Sequence, residues 1–217
     1  MSALLAAGAV AAALTGPGDF TTCIDNPYFP LRPGTRRVYR ETDGDGHVQR
    51  VVVRVTRRTK RVASGIVGRV VRDTVTEDGE LVEDTFDWYA QDREGNVWYL
   101  GERTTEYEDG KPVSTAGSFE DGVDGARRGI VMLARPRVGR EYAQERAPGV
   151  AEDRARVLSR DEQAEVPAGH FEDVLLTRDW NPLEPKALEY KLYAKGVGLV
   201  LALHVSGDRG REELLPQ

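Results

Sequence analysis

Between Arg69 and Tyr107 the chain carries two hairpin signals back to back, and they commit it to antiparallel β structure. Asp78-Gly79 lies between alternating residues and suits a two-residue type I′ turn, in which both central positions need positive φ. Asp92-Arg-Glu-Gly95 suits a type I turn closed by a left-handed glycine with a bulge. Between the two turns runs Glu80-Leu-Val-Glu-Asp-Thr-Phe-Asp-Trp-Tyr-Ala-Gln91.

The turns imply registers. In the first hairpin, pairs that sum to 157 set Val75 against Val82, Asp73 against Asp84, Val71 against Phe86 and Arg69 against Trp88. In the second, pairs that sum to 188 set Trp98 against Ala90, Leu100 against Trp88 and Glu102 against Phe86, whereas an even-length loop would send Glu102 outward and bring Arg103 in. One face is then expected to hold three carboxylates, Asp73, Asp84 and Glu102, among Val71, Phe86, Trp88 and Leu100. They cannot all be ionised there without compensation. A proton on one gives a general acid beside a base, pairing with Arg69 gives a structural ion network, and a hard cation such as Ca²⁺ or Mg²⁺ gives a metal site. A longer first turn, with pairs summing to 156, instead opposes Arg72 to Asp84 as an ordinary cross-strand ion pair.

The rest of the chain fits the same class. Arg36 to Thr42, His47 to Arg58, Phe171 to Trp180, Leu188 to Ala194 and Leu199 to Val205 read as strands, and Glu141 to Arg146 pairs with Arg154 to Arg160 around Pro148-Gly149. No long period of 3.6 occurs after the N-terminus. The 217 residues suit one all-β domain over 25–217, an antiparallel, strongly curved sheet or open barrel of about ten strands. Prolines in Asp25 to Gly34 forbid helix and central strand, and Tyr28, Phe29 and Leu31 are expected to plug one end of the core. Residues 115 to 130 are glycine-rich and aperiodic, and are expected to form a long loop over one end.

Charge and cysteine usage exclude several classes. A net charge of −6 argues against nucleic acid as partner. Arg32 to Arg61 holds ten basic residues against three acidic, and Asp73 to Asp109 thirteen acidic against two basic, which suits neighbouring strands pairing opposite charges. Cys23 is the single cysteine, so a cysteine-rich zinc site and an intrachain disulfide are excluded, and His47, His170 and His204 lack ligand spacing. No cofactor is implied beyond the divalent cation considered above. Ala3 to Leu14 has the length of an export-signal core and is too short to span a bilayer, but lacks a basic start. Residues 1–24 are therefore read as a truncated, signal-like extension and the location as extracytoplasmic, or cytoplasmic if that run is no export signal.

Asn26-Pro-Tyr-Phe-Pro-Leu-Arg-Pro-Gly-Thr35, Asp87-Trp-Tyr-Ala-Gln-Asp92, Gly95-Asn-Val-Trp-Tyr99 and Tyr193-Ala-Lys-Gly-Val-Gly-Leu-Val200 resemble an uncharacterised family of bacterial secreted proteins and lipoproteins. The resemblance runs from Asp25 onward and implies a β fold and an envelope or exported location; it implies no reaction. The charged start and lipobox of such proteins are missing here. Binding is the first functional reading: an apolar small molecule or lipid on the concave face, against Arg69, Phe86, Trp88, Trp98 and Leu100. An enzyme using Asp84 as acid or base, Asp73 to orient it and Glu102 to position substrate in proton transfer or cyclisation is the second. A structural envelope protein with no small-molecule site is the third.

Overall fold

The computed structural model describes residues 16–206 and 209–217. The signal-like run 3–14 lies outside these residues. After a 3₁₀ turn at Pro17–Asp19 the strands are β1 Phe20–Thr21, β2 Arg36–Asp43, β3 Val48–Arg61, β4 Val67–Glu77, β5 Glu80–Asp92, β6 Val97–Arg103, β7 Glu106–Glu108, β8 Lys111–Ser114 and β9 Phe119–Glu120. They continue as β10 Arg127–Met132, β11 Glu141–Ala143, β12 Glu145–Arg146, β13 Arg154–Val166, β14 Gly169–Trp180, β15 Leu188–Ala194, β16 Gly198–Ser206 and β17 Gly210–Leu214. All pairings are antiparallel, so the all-β expectation holds. The 17 strands among the described residues exceed the expected ten because the linking segments form short strands of their own.

The sheet bends nearly into a barrel. β2 to β6 form a meander, β13 to β17 another, and β17 joins β2 with Leu214 opposite Tyr39. On the other side β6 pairs with β10, β10 with β12, and β11 with β13. The seam is the 141–146 segment, which leaves β13 for β10 within a few residues. Gly129 permits this, since a Cβ there would overlap the Gln144 carbonyl. Closure leaves few strand edges open to foreign chains.

The turns follow the sequence signals. Asp78 and Gly79 both have positive φ, at 50° and 88°, and Gly95 lies at 92°. Glu77 pairs with Glu80 as a tight turn demands, and Ala90 with Trp98. Farther from the turns the registers depart from expectation. A bulge beyond Thr76–Leu81 makes Val75 face Glu83, and from there Asp73 faces Thr85 and Val71 faces Asp87. A second bulge at Leu100 carries the pairing from Tyr89–Tyr99 to Trp88–Gly101 and Asp87–Glu102. Gly101 holds that bulge at φ 127°, where a side chain would strike the Phe119 carbonyl as β9 pairs alongside. A slip of one residue exchanges the two faces of a strand, so both bulges decide which side chains reach the interior.

The core is divided accordingly. Inside and towards one end, Tyr28, Leu31, Val55, Val71, Met132, Val157, Leu175 and Tyr193 pack together. The Asn26–Leu31 segment closes that end, its Asn26 side chain donating to the Gly95 and Leu133 carbonyls at 2.9 and 3.2 Å and accepting from the Tyr28 N–H at 3.0 Å. The far half of the β13–β14 hairpin lies over β15–β17: Ala164, Val166 and Val174 pack with Leu192, Leu201 and Leu214, and the Ala168 N–H donates to the Leu214 carbonyl at 3.0 Å. A third cluster joins Val62, Ile66, Val70, Trp88, Ala90 and Leu100, with Phe20, Phe86 and Trp98 against it. Residues ahead of Asp25 take part in the packing: Ile24 is buried, and Phe20 meets Trp98 edge-on at 6.0 Å.

The 115–130 segment is stitched to the sheet. β9 pairs with Gly101 and Glu102, the Asp121 N–H donates to the Leu100 carbonyl at 2.8 Å, and Phe119 packs edge-on against Tyr99 at 5.5 Å. The expected long loop over one end is thus a fixed edge.

Candidate functional site

Inside the barrel lies a cavity of about 290 Å³. Leu31, Val53, Val71, Val131 and Leu199 give it apolar wall, Phe29, Tyr39, Tyr89 and Tyr193 aromatic wall, and Asp73, Asp87 and Glu212 bring carboxyl groups to it. Lys191, Gln144 and Arg37 complete its polar surface. Period-two alternation explains the set, since Asp73 and Val71 follow each other inward on β4, as do Asp87 and Tyr89 on β5.

The three expected carboxylates part company. Asp73 faces the interior. Glu102 faces it too, but beside Asp87 instead of Phe86. Asp84 points the other way and forms a forked ion pair with Arg72, at 2.7 and 3.0 Å. The expected Asp73–Asp84 opposition is therefore corrected: the bulge puts Asp84 outside and Asp87 inside. The ion pair weighed for a longer turn does form, although diagonally, because Arg72 itself opposes Phe86.

The aromatic half of the expected site is corrected in the same way. Phe86, Trp88, Trp98 and Leu100 belong to the outer cluster and none lines the cavity. Lys60 sits over the Trp88 ring at 3.7 Å, and Arg72 and Arg103 lie over Phe86. Arg69 is tied to the Thr22 and Arg57 carbonyls at 3.3 and 3.1 Å, away from the carboxyl groups. Nor does the cavity run beneath the 115–130 segment, for its lining comes from the Pro-rich plug and the barrel strands.

What the bulges bring together is a linked acid cluster. The Tyr99 hydroxyl is 2.5 Å from Asp87 Oδ1 and 2.8 Å from Glu102 Oε2. It has one proton to donate to two carboxyl oxygens, so full ionisation of both acids would leave one contact without a hydrogen. Burial, reinforced by Glu102, pushes Asp87 well above the usual carboxylate range, and burial raises Glu102 to about 7. Asp73 also rises to about 7, from burial and then from the nearby Glu83. Its Oδ1 is shut off from solvent and has no hydrogen-bond partner among the described residues, while the Thr74 N–H supports the carboxyl group. Glu212 rises to about 8, from burial first and Asp73 second. Glu145, nearby in the seam, rises by burial and by its contact with Asp153.

A second polar group lies across the barrel on β14–β16. Lys191 Nζ is 2.9 Å from Glu189 and 3.7 Å from Asp179, and the His204 ring is 2.9 Å from Glu189. Asp179 also accepts from Thr177 at 2.6 Å and Gln144 at 3.1 Å. Burial alone would lower the Lys191 pKa, but Glu189 and Asp179 outweigh it and hold the ammonium charged. The same pairing, with His204, overcomes the burial of Glu189 and holds it ionised well below the ordinary range. Sequence reasoning passed over Lys191, Asp179 and Glu189; the visible signal was charged residues on the inward phase of otherwise apolar strands.

In the Asp43–His47 turn, Asp43, Asp45 and His47 offer ligand atoms within 4.8 Å of one another, all exposed. Asp43 is already engaged there, accepting from the Asp45 and His47 N–H groups at 2.9 Å each and contacting the His47 ring at 2.8 Å. The turn's own hydrogen bonds account for the cluster. Among the described residues no helix is long and apolar enough to cross a membrane.

No family model matches the chain, and no curated protein does. Among solved structures, a proposed lipoprotein of Parabacteroides distasonis is similar over 88% of this chain and 98% of its own, at 14% identity and a TM-score of 0.47. A likeness of that strength assigns neither a shared fold nor an activity.

Proposed function

We propose that the chain is an extracytoplasmic binding barrel that encloses a small, largely apolar molecule. The observation that carries this is the internal cavity, with apolar and aromatic walls, a few convergent polar groups and one end closed by the Asn26–Leu31 plug. The cavity's size favours a compact molecule over a long lipid. Export is supported by the signal-like run at residues 3–14 and by the family resemblance from Asp25 onward. Titration with a neutral solvatochromic dye such as Nile red tests the binding reading, alongside Leu199→Trp, which fills the cavity from β16. The dye is expected to bind the native chain and to lose binding in the variant, with circular dichroism unchanged. Equal binding by both would move the ligand to another surface.

A proton-transfer reaction is the second reading. It is favoured by Asp87, whose carboxyl reaches the cavity and touches Glu102 through Tyr99. The carboxyl pair suited to it is Asp87 with Glu102, since Asp84 is bound to Arg72 on the outer face.

A further inference from the structure

The cavity has a chemical preference that its apolar walls do not explain. Among the described residues three carboxyl groups line it, those of Asp73, Asp87 and Glu212. Glu41, Glu83 and Glu102 act on them electrostatically from the surrounding wall. Among the described residues two cations line the cavity, Lys191 and Arg37, and each has partners of its own. Lys191, and His204 between Glu189 and Glu41, also act on Glu212 and offset part of the effect of its burial. Lys191 is held by Glu189 and Asp179. Arg37 donates to the Pro30 carbonyl at 3.2 Å, at the plugged end. Among the described residues the Asp73 Oδ1 has no hydrogen-bond partner, although the Thr74 N–H supports the carboxyl group. A buried carboxyl group with an unpartnered oxygen costs free energy, and because the Asp73 side chain lines the cavity, a donor seated there can offset that cost.

We infer that the polar end of the ligand is an organic ammonium group, seated against Asp73 and Glu212 with its apolar body along Leu31, Val53 and Leu199. This rests on the binding-barrel reading above and adds the chemical class of the ligand. The arrangement suits an amine better than a neutral head, because an ammonium supplies several N–H donors and a charge to a group of acids that repel one another. Tyr39, Tyr89 and Tyr193 add ring faces on which a cation is tolerated. Ammonium binding also favours the ionised carboxyls, so near pH 7 it is accompanied by proton release from Asp73 and Glu212.

Hexylamine, hexanol and hexanoate differ chiefly in the head group and serve as probes for the full chain, by calorimetry at pH 8, with CaCl₂ and MgCl₂ as separate titrants. Hexylamine is expected to bind about tenfold or more tighter than hexanol, the ratio of one charge-assisted hydrogen bond, and hexanoate most weakly. Asp73→Asn is expected to remove the preference for the amine and leave hexanol binding unchanged, and Glu212→Gln to reduce that preference. At pH 7 the heat of hexylamine binding should vary with the ionisation enthalpy of the buffer. If hexanol binds as tightly as hexylamine, or the preference survives in Asp73→Asn, the ammonium inference is overturned while the binding barrel stands. If Ca²⁺ or Mg²⁺ binds and hexylamine does not, the acids serve a metal and the inference fails. If none of the three probes binds and the neutral dye is also refused, the binding-barrel reading itself has failed.

Discussion

Replacing Asp73 by Asn should stabilise the protein at pH 8 and do little at pH 4, a pattern opposite to that of an ordinary salt-bridged aspartate. Asp73 has a pKa of about 7 in the barrel, against 3.8 for an unperturbed aspartate. Below 3.8 it is protonated in both folded and unfolded chains and contributes no pH dependence. As pH rises from there towards 7, the unfolded chain loses the proton first, so the folded state binds more protons and stability falls. Above 7 the penalty is complete and amounts to about 4 kcal/mol if the whole shift is realised. Asparagine keeps the shape and removes the titration, and its amide still loses solvation in the barrel. A net gain of about 2 kcal/mol at pH 8 is therefore expected. Urea unfolding followed by tryptophan fluorescence measures it, because Trp88 and Trp98 lie in packed surroundings that unfolding exposes. An equal gain at both pH values, or a loss at pH 8, would refute the reasoning and make Asp73 a member of a paired network. In the native chain Glu102 and Glu212 have the same sign, so stability should decline between about pH 5 and pH 8.

Two further substitutions probe the opposite side of the barrel and the outer face. Lys191→Met should cost about 3 kcal/mol in urea unfolding at pH 7, since it leaves the buried Asp179 without its cation and Glu189 with His204 alone, and adding Glu189→Gln should recover part of the loss. Asp84→Ala should change stability by less than about 1 kcal/mol and leave cavity binding untouched, because its Arg72 partner is half-exposed on the outer face; a loss of dye or amine binding would return Asp84 to the interior.

Much of the architecture could be read along the chain because its causes are local. Asp78-Gly79 and Gly95 adopt the positive φ their turns demand, Val51, Val53 and Val55 alternate with arginines over β3, and the Pro-rich Asn26–Leu31 segment caps the barrel as a rigid plug. Asp73 was legible as an inward carboxylate for the same reason, being on the phase of Val71 and Val75. The neighbouring residues were not. A bulge adds one residue to one strand, and no residue type near Val82 announces it. Past that point every side chain on β5 changes face, so Asp84 and Trp88 moved out while Asp87 and Tyr89 moved in. Gly101 did mark its bulge, but only the approach of Phe119 explains why a glycine is needed there.

The sequence by itself determined the antiparallel class, the turns and an excess of acids on the middle strands, because period-two patterning and turn chemistry act over a few residues. Tertiary structure decided which acids face inward and what answers them. Lys191 is more than a hundred residues from Asp73, and only the near-closure of β17 onto β2 and of β10 onto β6 brings both to one cavity. Burial then raises the carboxyl pKa values, and burial depends on the closed sheet as a whole, beyond the reach of any local pattern.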